Sequence, residues 1–77
     1  MSERIDVTHE ICPMTYVRVK LALESLDEGA LLEVLLRGAE PLKNVPRSLK
    51  EDGHEVLSLA PEGEVHLLTL RVHHGAR

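Results

Sequence analysis

The sequence is nearly free of aromatic residues, with one tyrosine and no phenylalanine or tryptophan among its 77 residues. The apolar residues left for a core are aliphatic: 14 leucines, 8 valines and 2 isoleucines. A chain of this length forms one domain, which we expect to span residues 1–77. Such a small core leaves no volume for a deep substrate pocket as well, so any chemistry is expected near the surface.

Long apolar runs, an excess of positive charge and paired cysteines are also missing. No apolar run approaches the ~18 residues that span a membrane, and the polar start at residues 1–4 predicts no signal peptide. A net charge of −4 and the scarcity of aromatics argue against direct nucleic-acid binding, which typically uses a basic stripe with interleaved aromatics. One cysteine cannot form an internal disulfide, which favours a cytoplasmic protein.

Hydrophobic periodicity and turn residues predict six elements in the order βαβαββ. Strands are expected at residues 4–8, 31–37, 55–60 and 65–72, helices from Cys12-Pro13 to Gly29 and from about Asn44 to Asp52, and turns at 38–41 and 61–64. The last residues, 73–77, are expected to form a loose tail.

The polar residues of the strands predict how the layers stack. They alternate with the core positions, so one face of the sheet should be at least half solvated. These residues are Arg4, Asp6, Glu33, Thr69 and Arg71. Both helices should then cover the other face, giving an α+β fold: a two-layer α/β sandwich with a four-stranded mixed sheet. The core face should carry Leu32, Val34 and Leu36. The open face should carry Leu35, Val56 and Leu67, which leaves a monomer or a weak homodimer open.

The only cysteine, Cys12, precedes Pro13 at the predicted start of the first helix, where proline is favoured. A thiolate at a helix N-terminus is stabilised by unpaired backbone N–H groups, and its pKa falls from about 8.5 to roughly 3.5–7.5. Arg18 and Lys20 would add positive potential, whereas Glu10 opposes it. On these grounds alone, a lone cysteine is more often a small buried hydrophobic residue.

The residues around Cys12 resemble the signature of the TusA/SirA-like sulfur-carrier family. That family has an aspartate six residues before a Cys-Pro-x-Pro motif, basic residues on the helix that the motif opens, and a glycine at the end of that helix. The corresponding residues are Asp6, Cys12, Pro13, Arg18, Lys20 and Gly29, followed by Val45-Pro46 and residues 53–56. The chain departs from the pattern at Thr15, in place of the second proline, and at His9, in place of a glycine before the cysteine.

The resemblance implies a sulfur carrier. Cys12 would take sulfane sulfur as a persulfide from a protein donor, a cysteine desulfurase or a rhodanese-like protein, and pass it to a protein acceptor in RNA thiolation or cofactor biosynthesis. With Arg18 and Lys20 in the family register, a docking or anion-steering role near the sulfur is as open as a simple solvated helix face. Pro13 and Met14 are expected to take part in partner contact, with Met14 and Tyr16 exposed nearby, although Met14 could equally fill a gap in the core. The resemblance implies no metal or organic cofactor. Whether such a sulfurtransferase-type carrier counts as an enzyme is left open.

Other functions are weighed against this one. A non-catalytic regulatory or adaptor module of the same fold, in which Cys12 is incidental, is favoured by Thr15 at the missing proline. A thiol redox protein is disfavoured because the chain has no resolving cysteine. His9 is close enough in sequence to form a Cys-His pair with Cys12, but an exposed loop residue is the more common case. The two together offer too few ligands for a closed zinc site, which needs four.

Overall fold

The computed structural model describes residues 2–10 and 14–74. The elements occur in the predicted order, and their bounds are β1 Ser2–Asp6, α1 Met14–Glu24, β2 Leu31–Leu36, α2 Ala39–Glu51, β3 Glu55–Glu62 and β4 Val65–Arg71. No helix within these described ranges is long and apolar enough to cross a membrane.

The four strands form one mixed sheet in the order β1-β2-β4-β3. β1 and β2 are parallel, and β4 is antiparallel to both β2 and β3. Along β2 every second side chain is fully buried, as the alternation of the sequence predicts. These side chains share a core cluster with residues of both helices, which include Val19, Leu23, Val45 and Leu49. The helices therefore cover one face of the sheet, and the predicted two-layer sandwich is confirmed.

The opposite face of the sheet is largely polar. Arg4 Nε lies 3.0 Å from Glu33 Oε1, on the neighbouring strand. Leu67 of β4 is paired with Leu35 of β2 on one side, and both are half-buried. This face is therefore half solvated, as the polar alternation predicts.

The expectation that Val56 shares the open face is wrong. A β-bulge interrupts the pairing of β3 with β4: Val56 is paired with Leu70 and Ser58 with Thr69, so Leu57 is the extra residue. Because one added residue reverses the alternation of side chains, Val56 turns to the face of buried Leu70 and packs against the core.

The second helix begins about five residues earlier than predicted. Its N-cap is Gly38, with a φ of 102° that favours glycine, and Pro41 is its third residue. The prediction of a turn at residues 38–41 is therefore wrong. Pro41 is tolerated in the first turn of the helix, because the first N–H groups of a helix have no intrahelical partner and proline costs little there. Pro46 lies inside the helix. Gly53 follows the helix end, as predicted, with a φ of 97°.

Further boundaries differ from the prediction. β1 spans Ser2–Asp6 and not residues 4–8. The first helix ends at Glu24 and not at Gly29, because short turns close it: Ser25 N donates to Ala22 O at 3.2 Å and Leu26 N to Leu23 O at 3.1 Å. β3 runs to Glu62, leaving a two-residue turn at 63–64. Pro61 is tolerated within β3 because this strand lies at the sheet edge, where an N–H need not join the ladder.

Candidate functional site

Two described segments border the position of the only cysteine. Cys12 and Pro13 lie outside the described residues, and so does the prediction that they open the first helix. The preceding segment is a turn after β1, in which the Asp6 carboxylate accepts hydrogen bonds from the Thr8 backbone N–H at 2.9 Å and from its hydroxyl at 2.6 Å. Both hydrogen bonds hold the pKa of Asp6 below its usual value, and the bond from the Thr8 hydroxyl is the larger cause. His9 is exposed in this turn.

The following segment, helix α1, presents apolar side chains to solvent along its first two turns. Met14 is 48% exposed, Val17 41% and Leu21 58%. Their spacing of three and four residues places them on one side of the helix. The structure therefore places Met14, one of the expected partner-contact residues, at the surface at the start of α1.

The opposite side of α1 packs into the core through Thr15, Val19 and Leu23. Thr15 is fully buried, and its hydroxyl oxygen has no hydrogen-bond partner among the described residues. This is the position at which the resemblance expects a proline. A buried hydroxyl without a partner costs about 1–3 kcal/mol, so Thr15 is a local source of instability beside the site.

Arg18 extends from α1 toward the segment that precedes the cysteine. Its Nη1 lies 3.3 Å from Glu10 Oε2. It also lines a groove of about 420 Å³ between α1 and the end of β1, with Ile5 and Leu21. The ion pair places a cation beside Glu10, the acidic residue expected to oppose a thiolate, so the opposing charge is partly offset.

Lys20 points to the other flank of α1, because residues two apart on a helix differ by about 200° in direction. Its Nζ lies 3.8 Å from Asp52 Oδ2 and 6.0 Å from the centre of the Tyr16 ring. Arg18 and Lys20 are therefore not brought together, although the sequence placed them in the same candidate site.

The expectation that Tyr16 is exposed is wrong. Its ring is half-buried against the core, and its hydroxyl donates a hydrogen bond to the Asp52 carboxylate. Burial is the main cause that raises the pKa of Tyr16 well above its usual value, and the hydrogen bond to Asp52 adds to it. Sequence reasoning missed the Tyr16–Asp52–Lys20 group because Asp52 lies 36 residues from Tyr16, beyond any helical spacing.

The described part of α1 that follows the cysteine presents an open surface. The first turn of α1 has no acidic side chain, so no carboxylate of that turn opposes the positive potential of a helix N-terminus. The two cavities lined by α1 that the described residues form, of about 270 Å³ and 420 Å³, are both open to solvent. A reacting group at this end of the molecule would meet its partner at the surface.

Comparison with known proteins gives a family for this sequence. The family described as sulfurtransferase TusA matches residues 3–72. A proposed sulfur carrier protein of Archaeoglobus fulgidus is 40% identical over 63 residues, which cover 82% of this chain and 72% of the relative. A proposed sulfur carrier protein of Methanocaldococcus jannaschii is 40% identical over 62 residues, covering 80% of this chain and 81% of the relative.

The fold is also found in a solved structure. The crystal structure of a SirA-like protein from Desulfitobacterium hafniense superposes with a TM-score of 0.77 and covers 96% of this chain and 100% of the other. At 24% sequence identity, this similarity establishes the shared α+β fold.

Proposed function

This chain belongs to the sulfurtransferase TusA family, and from that membership we propose that it carries sulfane sulfur as a persulfide on Cys12. The observation that carries the proposal is the family match, which spans residues 3–72 and so includes the only cysteine of the chain. The relatives named as proposed sulfur carriers support it. With no second thiol in the chain, any persulfide must form on Cys12.

The chemistry needs no oxidant or reductant beyond the two partners. The Cys12 thiolate attacks the terminal sulfur of a donor persulfide, forms a new S–S bond and expels the donor cysteine as a thiolate. An acceptor nucleophile then attacks the terminal sulfur on Cys12, and Cys12 leaves as a thiolate. We propose a cysteine desulfurase or a rhodanese-like protein as donor and a protein of RNA thiolation or cofactor biosynthesis as acceptor. Both steps suit a reducing cytoplasm.

The described residues next to the cysteine support a role in partner contact. Met14 supplies an exposed, polarizable side chain at the start of α1. Arg18 supplies a cation on the same flank, and the resemblance assigns contact roles to Pro13 and Lys20 as well. Since Lys20 is paired with Asp52, we propose that it contributes to binding only when a partner carboxylate displaces Asp52.

The test is the intact mass of the protein after incubation with a cysteine desulfurase, its pyridoxal phosphate and free cysteine. The wild type should gain the mass of one sulfur atom, and a reducing thiol should remove it. Cys12→Ser is the matched control, because serine is close in size and cannot form a persulfide. It should keep the thermal midpoint of the wild type and gain no sulfur.

Two outcomes would overturn the proposal. Either the wild type gains no sulfur from a desulfurase or a rhodanese-like donor, or Cys12→Ser supports full activity in the cell. The adaptor function would then be the better account of the fold.

A further inference from the structure

Three of the five histidines meet at the end of the sheet where β4 finishes and β2 and β3 begin. His54, His73 and His74 border a cavity of about 270 Å³, together with three charged side chains, Lys20, Glu24 and Asp52. The expectation that residues 73–74 belong to a loose tail is therefore wrong for these two residues. Nothing in the proposed sulfur chemistry uses this group.

His54 is held in place by the end of α2. The backbone N–H of His54 donates to Leu49 O at 3.0 Å, and that of Gly53 donates to Lys50 O at 3.0 Å. With Gly53 at positive φ, this is the Schellman arrangement of helix ends. The imidazole of His54 therefore occupies a fixed place beside the last residues of the described chain.

Residues 73–74 are attached at two sides. On one side, the backbone N–H of His73 donates to His54 Nδ1 at 3.0 Å. On the other, Glu28 binds both residues: its Oε2 lies 2.7 Å from His73 Nδ1, and its Oε1 accepts the His74 backbone N–H at 2.6 Å. His74 Nε2 also lies 2.6 Å from the carbonyl oxygen of Leu26.

We propose that His54 is a proton-sensitive contact: neutral, it holds the His73 amide through Nδ1, and protonated, it releases that amide. A neutral imidazole has one nitrogen that accepts a hydrogen bond, whereas an imidazolium has two donors. Nδ1 is the acceptor in this contact. Its protonation would place an N–H group opposite the N–H of His73, and two donors cannot form a hydrogen bond with each other. The contacts of Glu28 with His73 Nδ1 and with the His74 backbone N–H do not involve His54, so this change leaves them in place.

The burial of His54 favours its neutral ring. Burial is the main cause that lowers the pKa of His54, with smaller contributions from His74, His73 and Lys20, while Asp52 acts in the opposite direction. The docked state thus binds fewer protons than the released state, so docking weakens as the pH falls below the free value of about 6.5. Each unit of pKa difference corresponds to about a tenfold change in the docking equilibrium.

Glu28 remains charged across this range. Hydrogen bonds to His73 and His74 hold the pKa of Glu28 below its usual value, and the bond to the His73 side chain is the larger cause. Acidification therefore changes the His54 side of the attachment and not the Glu28 side. Metal binding is a poorer explanation of the cluster, because the one lone pair that a neutral His54 ring offers already accepts the His73 N–H. No group of metal-binding side chains is formed within residues 2–10 and 14–74.

The experiment is an NMR titration of the full chain from about pH 8 to about pH 5, the range in which histidines change charge. We expect the His73 amide shift to follow the ring signal of His54, with one shared midpoint below about 6.5. In His54→Asn, the side-chain oxygen offers an acceptor that does not titrate. The His73 amide should then stay hydrogen-bonded, and its chemical shift should no longer change with pH. In His54→Leu, it should show the released shift at every pH.

His9→Asn is the matched control, because His9 lies in the turn after β1, away from this cluster, and should leave the His73 curve unchanged. The proposal is overturned if the His73 amide follows the ring of His73 or His74, or if His54→Asn retains the change of that shift with pH. If a variant does not fold, the comparison of midpoints in the wild type still decides. These readouts do not depend on sulfur transfer.

Discussion

The hydroxyl of Tyr16, in the first turn of α1, is bonded to the carboxylate of Asp52, just past the end of α2. Lys20 pairs with the same carboxylate from the next turn of α1. The start of one helix is thereby tied to the end of the other. Since Tyr16 is four residues from Cys12 in sequence, this contact helps to fix the helix that follows the cysteine.

Removal of this bond should weaken the fold slightly. Tyr16→Phe keeps the ring against the core and deletes one hydrogen bond, so we expect a loss of about 1 kcal/mol in the free energy of unfolding. Urea denaturation would measure it. Asp52→Asn, which keeps an acceptor but loses the charge that Lys20 contacts, is the comparison. Equal stability of Tyr16→Phe and the wild type would show that the bond contributes nothing.

The ionisation of Tyr16 gives an independent check, because it is the only tyrosine of the chain. An ultraviolet absorbance titration should place the pKa of Tyr16 above the ordinary value of about 10. In Asp52→Asn the pKa should fall, because both the hydrogen bond and the negative charge that raise it are weakened. It should not reach the ordinary value, since burial is the larger cause. An unchanged titration in the variant would contradict the contact.

One substitution at Thr15 is expected to stabilise the fold. Its hydroxyl is buried and has no partner in the described part of the chain, so Thr15→Val should raise the free energy of unfolding by about 1 kcal/mol. Thr15→Ala removes the hydroxyl and a methyl group together, and the cavity should make it less stable than Thr15→Val. Thermal and urea unfolding of the three proteins would decide. A less stable Thr15→Val would mean that the hydroxyl is bonded.

The core can be tested with the same substitution at two leucines. Leu49 of α2 is fully buried, whereas Leu21 of α1 is 58% exposed. Leu49→Ala should cost about 2–5 kcal/mol, which is a large part of the stability of a small domain. Leu21→Ala should change stability by no more than about 0.5 kcal/mol. Similar losses in the two variants would contradict the packing of α2 on the sheet.

Much of the fold could be predicted from local patterns. The alternation in β2 predicts its buried face, and Gly53 predicts the end of α2, because each depends on neighbouring residues alone. The errors arise where one local signal has two structural meanings. Pro41 suits a turn as well as a first helical turn, and Pro61 suits a turn as well as an edge strand. Only the tertiary structure decides between them.

Other features depend on residues far apart in sequence. The bulge at Leu57 reverses the direction of Val56, and it is visible only in the pairing with β4. The Tyr16–Asp52 and His54–His73 contacts likewise join different elements. For the site, the ion pair of Arg18 with Glu10 also joins residues eight positions apart and was not predicted. The opposite direction of Lys20 follows from its spacing of two residues from Arg18 on the helix, which the sequence argument did not use.

The last prediction concerns the acidity of Cys12, which an alkylation assay reports alone because the chain has one cysteine. We expect the alkylation rate to rise with pH about a midpoint below the unperturbed value of about 8.5. The pair of Arg18 and Glu10 gives the sign of two variants. Arg18→Gln removes a cation that favours the thiolate and should raise the midpoint, whereas Glu10→Gln removes an opposing anion and should lower it. Because the pair is partly exposed, shifts of only a few tenths of a unit are expected, and salt should reduce them.

Lys43→Gln, on the exposed side of α2, is the control and should leave the midpoint in place. A wild-type midpoint at or above about 8.5 would show that the start of α1 does not activate the thiol, even if the protein carries sulfur.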